Sequence, residues 1–292
     1  MGSVSKQFTG VLALRHITPL LNTDVTTLLT EEEFLSLTNA LPELEKRMLR
    51  RRLKLKHFAG VTVGQLLSHS SKTDWYSEKN LVGYKYQNLN FDLVGLILEK
   101  QTHKSYAESV RELFREAGMV HTFLHDDFPE RELFGKLKKS LQSVNRSPEI
   151  MKTVLTKAVT PDGGIISTAR DLLKWNDFLE KNGYFYKLTE FSVDDGSGGM
   201  YGFGLATNSS KSFFFHNGDV LLYFNGICCA GVLLYEPSTK FSAVGFDVFE
   251  ICPGQKILSL SEVEKFFAEN NDSVLQKILE RTDMLAQKCL EP

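Results

Sequence analysis

Apolar positions Phe8, Val11, Leu12 and Leu14 follow Ser3 at helical spacing, and the pattern predicts a first helix over residues 3–16. A hydroxyl at Thr30 with a glutamate at Glu33 predicts a second helix start, so residues 31–55 read as helical with a break near Pro42. Val61 to His69 reads as a short helix begun at Thr62, residues 83–90 as a loop, and Phe91 to Lys100 as the start of a strongly apolar helix. Residues 105–117 carry an amphipathic pattern closed by Gly118, whereas residues 124–160 are polar and keep no steady period.

The pattern changes at Pro161. Gly163-Gly164 precedes Ser167-Thr168-Ala169-Arg170-Asp171, which caps a helix over 172–181. After a glycine-rich turn at 194–204, runs rich in aromatic and β-branched residues predict strands at 212–216, 226–235 and 241–249. Pro237-Ser238-Thr239-Lys240 joins the last two as an antiparallel hairpin, and residues 259–288 read as an amphipathic helix. Helices first, then a late sheet, then a closing helix make an α+β arrangement. One domain over 1–292 is expected, its helical region of about 20–160 inserted between the first helix and an α/β part, 161–292.

With 292 residues and 42% hydrophobic content, the chain can bury a substantial core. A formal net charge of -2 gives no reason to expect a nucleic acid or an anionic membrane as partner. The basic run from Lys46 to Lys56 is the exception, and it reads as a solvated face. Cys228, Cys229, Cys252 and Cys289 lack metal-site spacing, and adjacent Cys228 and Cys229 point to opposite faces of a strand; they read as buried apolar fillers. No metal and no cofactor is expected. No apolar run reaches the ~18 residues of a membrane span, and no secretory signal precedes Ser3. The expectation is a soluble chain, cytoplasmic if Met1 is the genuine start and exported if sequence precedes it.

Candidate chemistry begins at Gly2-Ser3-Val4-Ser5-Lys6, where a serine and a lysine three residues apart share one helix face. A serine hydroxyl is a poor nucleophile at neutral pH, and a partly desolvated amine one turn away can activate it. The same two residues also suit a helix-terminus serine and a solvated lysine. What lies downstream decides between them. Leu66-Leu67-Ser68-His69-Ser70-Ser71, Tyr86-Gln87-Asn88, Gly163-Gly164-Ile165-Ile166-Ser167-Thr168 and His216-Asn217-Gly218 follow in order. Taken together with the opening segment through Gly10, these motifs resemble the serine beta-lactamase-like family of class C beta-lactamases, D-alanyl-D-alanine peptidases and family VIII esterases.

The resemblance implies a beta-lactamase/transpeptidase-like fold, an antiparallel sheet packed with helices plus a mostly helical region. It implies that Ser3 is the acylated nucleophile, that Lys6 shares or removes its proton, and that Tyr86 is the partner base. Asn88 would bind Lys6 and the substrate, and His216 stands where lactamases carry a lysine. Backbone N–H groups of Ser3 and Asp219, beside Gly218, would form the oxyanion hole. The expected activity is a serine hydrolase forming an acyl-enzyme on a small ester, amide or peptide. Esterase or D-amino-acid peptidase is favoured over beta-lactamase because His216 removes a fixed cation. The alternative is a catalytically inactive binding or scaffold protein on the same fold.

Three departures accompany the match. Two N-terminal strands that complete the family's sheet are missing before the nucleophile helix, so three C-terminal strands would leave a bare edge open to self-association, and sequence upstream of Met1 is expected. Asp219 puts a carboxylate next to the oxyanion position, and Ser70-Ser71-Lys72 replaces a glycine-ended motif.

Overall fold

Met1 leads into a tight 3-10 turn, Gly2–Ser5, and the chain passes without interruption into α1, Lys6–His16. The computed structural model describes residues 1–37, 54–71, 83–124, 161–196, 198–222 and 227–250, all within one compact unit, Met1–Cys252. The expectations for the break near Pro42, for most of the basic run, for residues 125–160, for Cys252 and Cys289 and for a helix at 259–288 lie outside the described residues, as do the side chains of Cys228 and Cys229.

Helices α2 (Val25–Leu28), α3 (Glu31–Ser36), α4 (Val63–Leu67), α5 (Asn88–Thr102), α6 (Tyr106–Glu116), α7 (Ala169–Lys181) and α8 (Tyr184–Leu188) follow in chain order. Reciprocal capping boxes open α3 at Thr30 and Glu33, α4 at Thr62 and Gln65, and α6 at Ser105 and Glu108; the first is the one the spacing predicts, and Thr62 is the expected start of the second. Helix α5 starts earlier than its apolar run. Gln87 is extended and Asn88 is the first helical residue, so three residues that read from sequence as loop belong to the helix. Its other end is fixed by His103 in the left-handed region.

Among the described residues two antiparallel sheets are formed. A short one pairs β1 (Phe123–Leu124) with β2 (Ile165–Ile166). The larger has six strands in sequence order: β3 (Val193–Asp194), β4 (Gly199–Tyr201), β5 (Ala206–Asn208), β6 (Phe214–Leu222), β7 (Ile227–Glu236) and β8 (Phe241–Glu250). The sequence pattern leads one to expect three strands; three more, β3 to β5, are formed, β4 within the region that reads as a glycine-rich turn and β3 and β5 at its two ends, and they continue the sheet from the free side of β6. Strand β6 also runs beyond the expected stop at His216, through Asn217-Gly218-Asp219. These turn-favouring residues are held extended by continuous pairing with β7, Gly218 opposite Gly231 and Asp219 opposite Ala230. The hairpin at Pro237 to Lys240 is present, with Lys240 in the left-handed region.

The core forms where α1 meets its neighbours. Phe8 stacks on Trp175 of α7 at 3.9 Å between ring centroids and meets Phe114 of α6 edge-on at 5.5 Å. Trp175 Nε1 donates to Gln7 Oε1 at 2.9 Å, and Asn176 Nδ2 donates to the Leu234 carbonyl at 2.9 Å, so α7 is tied both to α1 and to β7. Each aromatic side chain of this kind stabilises the fold by about 1.5–3 kcal/mol through burial. No helix among the described residues is long and apolar enough to cross a membrane. A helix clamped on several sides in this way is a rigid support for the side chains at its first turn.

Candidate active site

Lys6 is fully buried at the start of α1. A buried ammonium is tolerated only when its three N–H groups are matched by acceptors. Lys6 Nζ donates to Ser3 Oγ at 3.0 Å, to Asn88 Oδ1 at 2.8 Å and to the Asp162 carbonyl at 2.9 Å. An Asp162 carboxylate oxygen stands 3.9 Å away. Three acceptors come from three separate parts of the chain: the 3-10 turn, the first residue of α5 and the segment after Pro161. Thr9 holds that last segment in place, donating to the Pro161 carbonyl at 2.6 Å and meeting the Tyr106 hydroxyl at 2.8 Å.

Tyr86 lies beside this group. Lys6 Nζ sits 5.0 Å from the centroid of the Tyr86 ring and 5.6 Å from that of Phe91, and Tyr86 is 38% exposed. Thus Ser3, Lys6, Tyr86 and Asn88 are brought to one place.

Tyr86 is backed by His69, whose ring centroid is 4.3 Å from its own. His69 adopts a left-handed backbone, is completely buried, and is also enclosed by Phe91 at 5.2 Å and Tyr201 at 4.9 Å. Its Nδ1 accepts the Gln87 N–H at 3.2 Å, so in the neutral ring Nε2 carries the proton, and that buried N–H has no partner among the described residues. Burial first, then Lys6 and His216, hold His69 well below the usual histidine range. By way of Gln87 this residue anchors the Tyr86 segment.

His216 is only 3% exposed. Its Nε2 is 2.8 Å from the Tyr201 hydroxyl and its Nδ1 meets the carbonyl of Asn217. Burial and Lys6 push it down to about 3, so the ring is neutral. The side chain expected to face a substrate is therefore hydrogen-bonded to Tyr201. Both histidines must become charged on unfolding in acid. Their folded values are depressed, so their contribution is complete above the unfolded value near ~6.5 and is lost as pH falls toward about 3 for His216. Urea midpoints are expected to fall steadily from pH 7 to pH 5, each histidine adding a slope of up to about 1.4 kcal/mol per pH unit. A flat stability profile over that interval is incompatible with two neutral buried rings.

Gly218 places β6 against the nucleophile turn. A Cβ there would lie 1.8 Å from the Met1 carbonyl oxygen and 3.0 Å from the Ser3 nitrogen, so only glycine permits the approach. Asp219 follows in the strand; its side chain lies outside the described residues. Two further residues join the site that the sequence did not single out. Asp162 supplies a main-chain acceptor, which no residue type announces. Tyr201, inside Met200-Tyr201-Gly202-Phe203-Gly204, could have been noticed as an aromatic directly before a spaced glycine pair. Among the described residues no group of His, Cys, Asp or Glu is arranged to hold a metal ion.

A family model described as Beta-lactamase matches residues 1–231. Solved structures with the same fold include a D-stereospecific amidohydrolase from Streptomyces sp., 16% identical with a TM-score of 0.52, over 84% of this chain and 80% of that one. The penicillin binding protein from Bacillus halodurans is 18% identical with a TM-score of 0.54, over 92% and 84%. The octameric penicillin-binding protein homologue from Pyrococcus abyssi is 19% identical with a TM-score of 0.52, over 95% of this chain and 65% of that one. No curated protein matches the chain.

Proposed function

The chain belongs to the beta-lactamase family, and from that premise we propose that it is a serine hydrolase working through an acyl-enzyme on Ser3. The observation that carries this reading is the Lys6 ammonium shared between Ser3 Oγ and Asn88 Oδ1. In the proposed reaction Ser3 Oγ forms a bond to the substrate carbonyl carbon while its proton passes to Tyr86. Backbone N–H groups of Ser3 and Asp219 receive the oxyanion, and Lys6 adds positive charge without moving. Collapse breaks the bond to the alcohol or amine, which takes the proton back from Tyr86 as it leaves. Water then attacks the acyl-enzyme by the reverse sequence of proton transfers and releases the acid. No metal or cofactor enters these steps.

Substrate class follows from charge. His216 is neutral and turned to Tyr201, so it offers no fixed cation for a substrate carboxylate. Uncharged esters and amides are favoured over carboxylate-bearing lactams, as in an esterase or a D-amino-acid peptidase. A fluorophosphonate probe is expected to add one adduct, mapped by peptide mass to Ser3, and p-nitrophenyl esters are expected to be turned over faster than a carboxylate-bearing lactam. Absence of any adduct at Ser3 in the folded protein would leave the scaffold alternative standing instead.

A further inference from the structure

Thr9 stands one turn after Lys6 on the same face of α1, and the two side chains hold consecutive carbonyls of one distant segment. Lys6 Nζ donates to the Asp162 oxygen at 2.9 Å and Thr9 Oγ1 to the Pro161 oxygen at 2.6 Å. A carbonyl only accepts, so the single proton of the Thr9 hydroxyl is committed to Pro161. The Tyr106 hydroxyl, 2.8 Å from Thr9 Oγ1, is then the donor to it. A directed chain results, from Tyr106 through Thr9 to the Pro161 carbonyl. Tyr106 is itself fixed as the first residue of α6, its main-chain N–H donating to Glu99 Oε1 of α5 at 2.7 Å. Helix α5 also bears on Pro161 directly: a Cβ at Gly95 would lie 2.1 Å from Pro161 Cγ.

We infer that Thr9, its hydroxyl oriented by Tyr106, is a positioning residue that sets where the Lys6 ammonium stands against Ser3 Oγ. The inference rests on the proposed function, in which Lys6 and Ser3 act together. The pyrrolidine ring fixes φ of Pro161, and the hydrogen bond from Thr9 fixes the planar peptide that leads into Asp162. The next carbonyl is the one that Lys6 uses. Beyond it Gly163 and Gly164 bring no side chain to stiffen the segment, and Gly164 is in the left-handed region. The next tie on that side, from the Ile165 N–H to Ser5 Oγ, is a long one at 3.4 Å. Asp162 therefore takes its place from the Pro161 side. Thr9 is fully buried and Tyr106 nearly so, and water does not stand in for a partner that either one loses.

The test reads Lys6 directly, through the exchange of its ammonium protons with solvent in 15N-lysine protein, the signal being identified by its loss in Lys6→Met. Thr9→Val keeps the shape of the side chain and removes the hydroxyl. Its Lys6 protons are expected to exchange about tenfold faster, the equivalent of one lost hydrogen bond, and Thr9→Ser to restore the wild-type rate. The kcat for a p-nitrophenyl ester is expected to fall about 10- to 100-fold in Thr9→Val with KM hardly changed, because the ammonium is displaced and not removed. Tyr106→Phe should move both readouts the same way by less, since Thr9 keeps its bond to Pro161 and loses the one that orients it. Thr207→Val is the control for stability alone. That hydroxyl, equally buried in β5, donates to the Phe213 carbonyl at 2.7 Å, and its loss should lower the urea midpoint while Lys6 exchange and kcat stay as they are. A folded Thr9→Val protein whose Lys6 protons exchange as in wild type overturns the inference. Unmoved exchange in Tyr106→Phe has the same consequence, should Thr9→Val not fold. So does an equal acceleration in Thr207→Val, which would make the exchange a readout of overall stability. Faster Lys6 exchange in Thr9→Val with no Ser3 adduct in wild type defeats the hydrolase reading alone, and a Ser3 adduct with unmoved exchange defeats the positioning role alone.

Discussion

Ser3→Ala is expected to eliminate covalent labelling by a fluorophosphonate and to lower ester turnover by at least about 10³-fold, the scale on which a covalent nucleophile acts. The thermal midpoint should hardly move, because the change removes one partly exposed hydroxyl and leaves Lys6 with two of its three acceptors. Lys6→Ala is expected to lose as much activity, since members of a catalytic unit fail together rather than additively. It should differ in stability. Lys6 is completely buried, and truncation leaves unfilled volume beside Asn88 Oδ1 and the Asp162 carbonyl, both deprived of a donor. A loss of about 2–5 kcal/mol is expected on those grounds. Lys6→Met restores much of the volume and none of the charge, so it should recover part of the stability and none of the turnover. Comparing the three variants by probe labelling and by urea midpoint separates chemistry from packing. Turnover that survives in Ser3→Ala would sink the nucleophile assignment.

Gly204→Ala is expected to be strongly damaging although it touches none of the reacting groups. Gly204 has φ +80, and a Cβ there would lie 2.3 Å from the Lys6 carbonyl oxygen and 2.9 Å from the Gln7 nitrogen. Those atoms belong to the backbone of α1 and cannot swing aside. The left-handed conformation costs about 1–2 kcal/mol for alanine, and the overlap adds about 1–3 kcal/mol. A fall in the thermal midpoint on the order of 10 °C is expected for a chain of this size. Displacement of Lys6 by even a fraction of an ångström should also cost activity, because a small misplacement can lower a rate about 10²-fold. Gly60→Ala is the matched control: φ is +79, yet nothing lies within 4 Å of its added Cβ. It should show the conformational cost only, with activity intact. Equal destabilisation of the two variants would mean that the approach of residues 202–205 to α1 contributes nothing.

Such a close approach is not legible in the residues. Gly202 and Gly204, on either side of Phe203, read as a flexible turn. In the fold Gly202 meets the Leu188 carbonyl and Gly204 the Lys6 carbonyl, while Gly10 of α1 accommodates the Phe203 carbonyl. The same region provides β4 and Tyr201, so a reading of it as a turn hides one strand of the sheet and one residue beside the site.

What the sequence determined by itself was local or strictly ordered. The capping box at Thr30 and the helix start at Thr62 could be read because each is closed within four residues. The β7–β8 hairpin was readable because its turn joins strands that are neighbours in the chain. Ser3, Lys6, Tyr86 and Asn88 could be picked out because their motifs stand in a fixed order, and the fold brings all four together. Tertiary structure alone decided the rest. Lys6 takes a main-chain oxygen of Asp162, 156 residues away, and backbone acceptors carry no residue signature. His216 turns to Tyr201 because burial withdraws it from water and leaves that hydroxyl and the Asn217 carbonyl as partners for its two nitrogens. Pairing and burial depend on which distant segments meet, and a one-dimensional pattern records only which residues are available to do so.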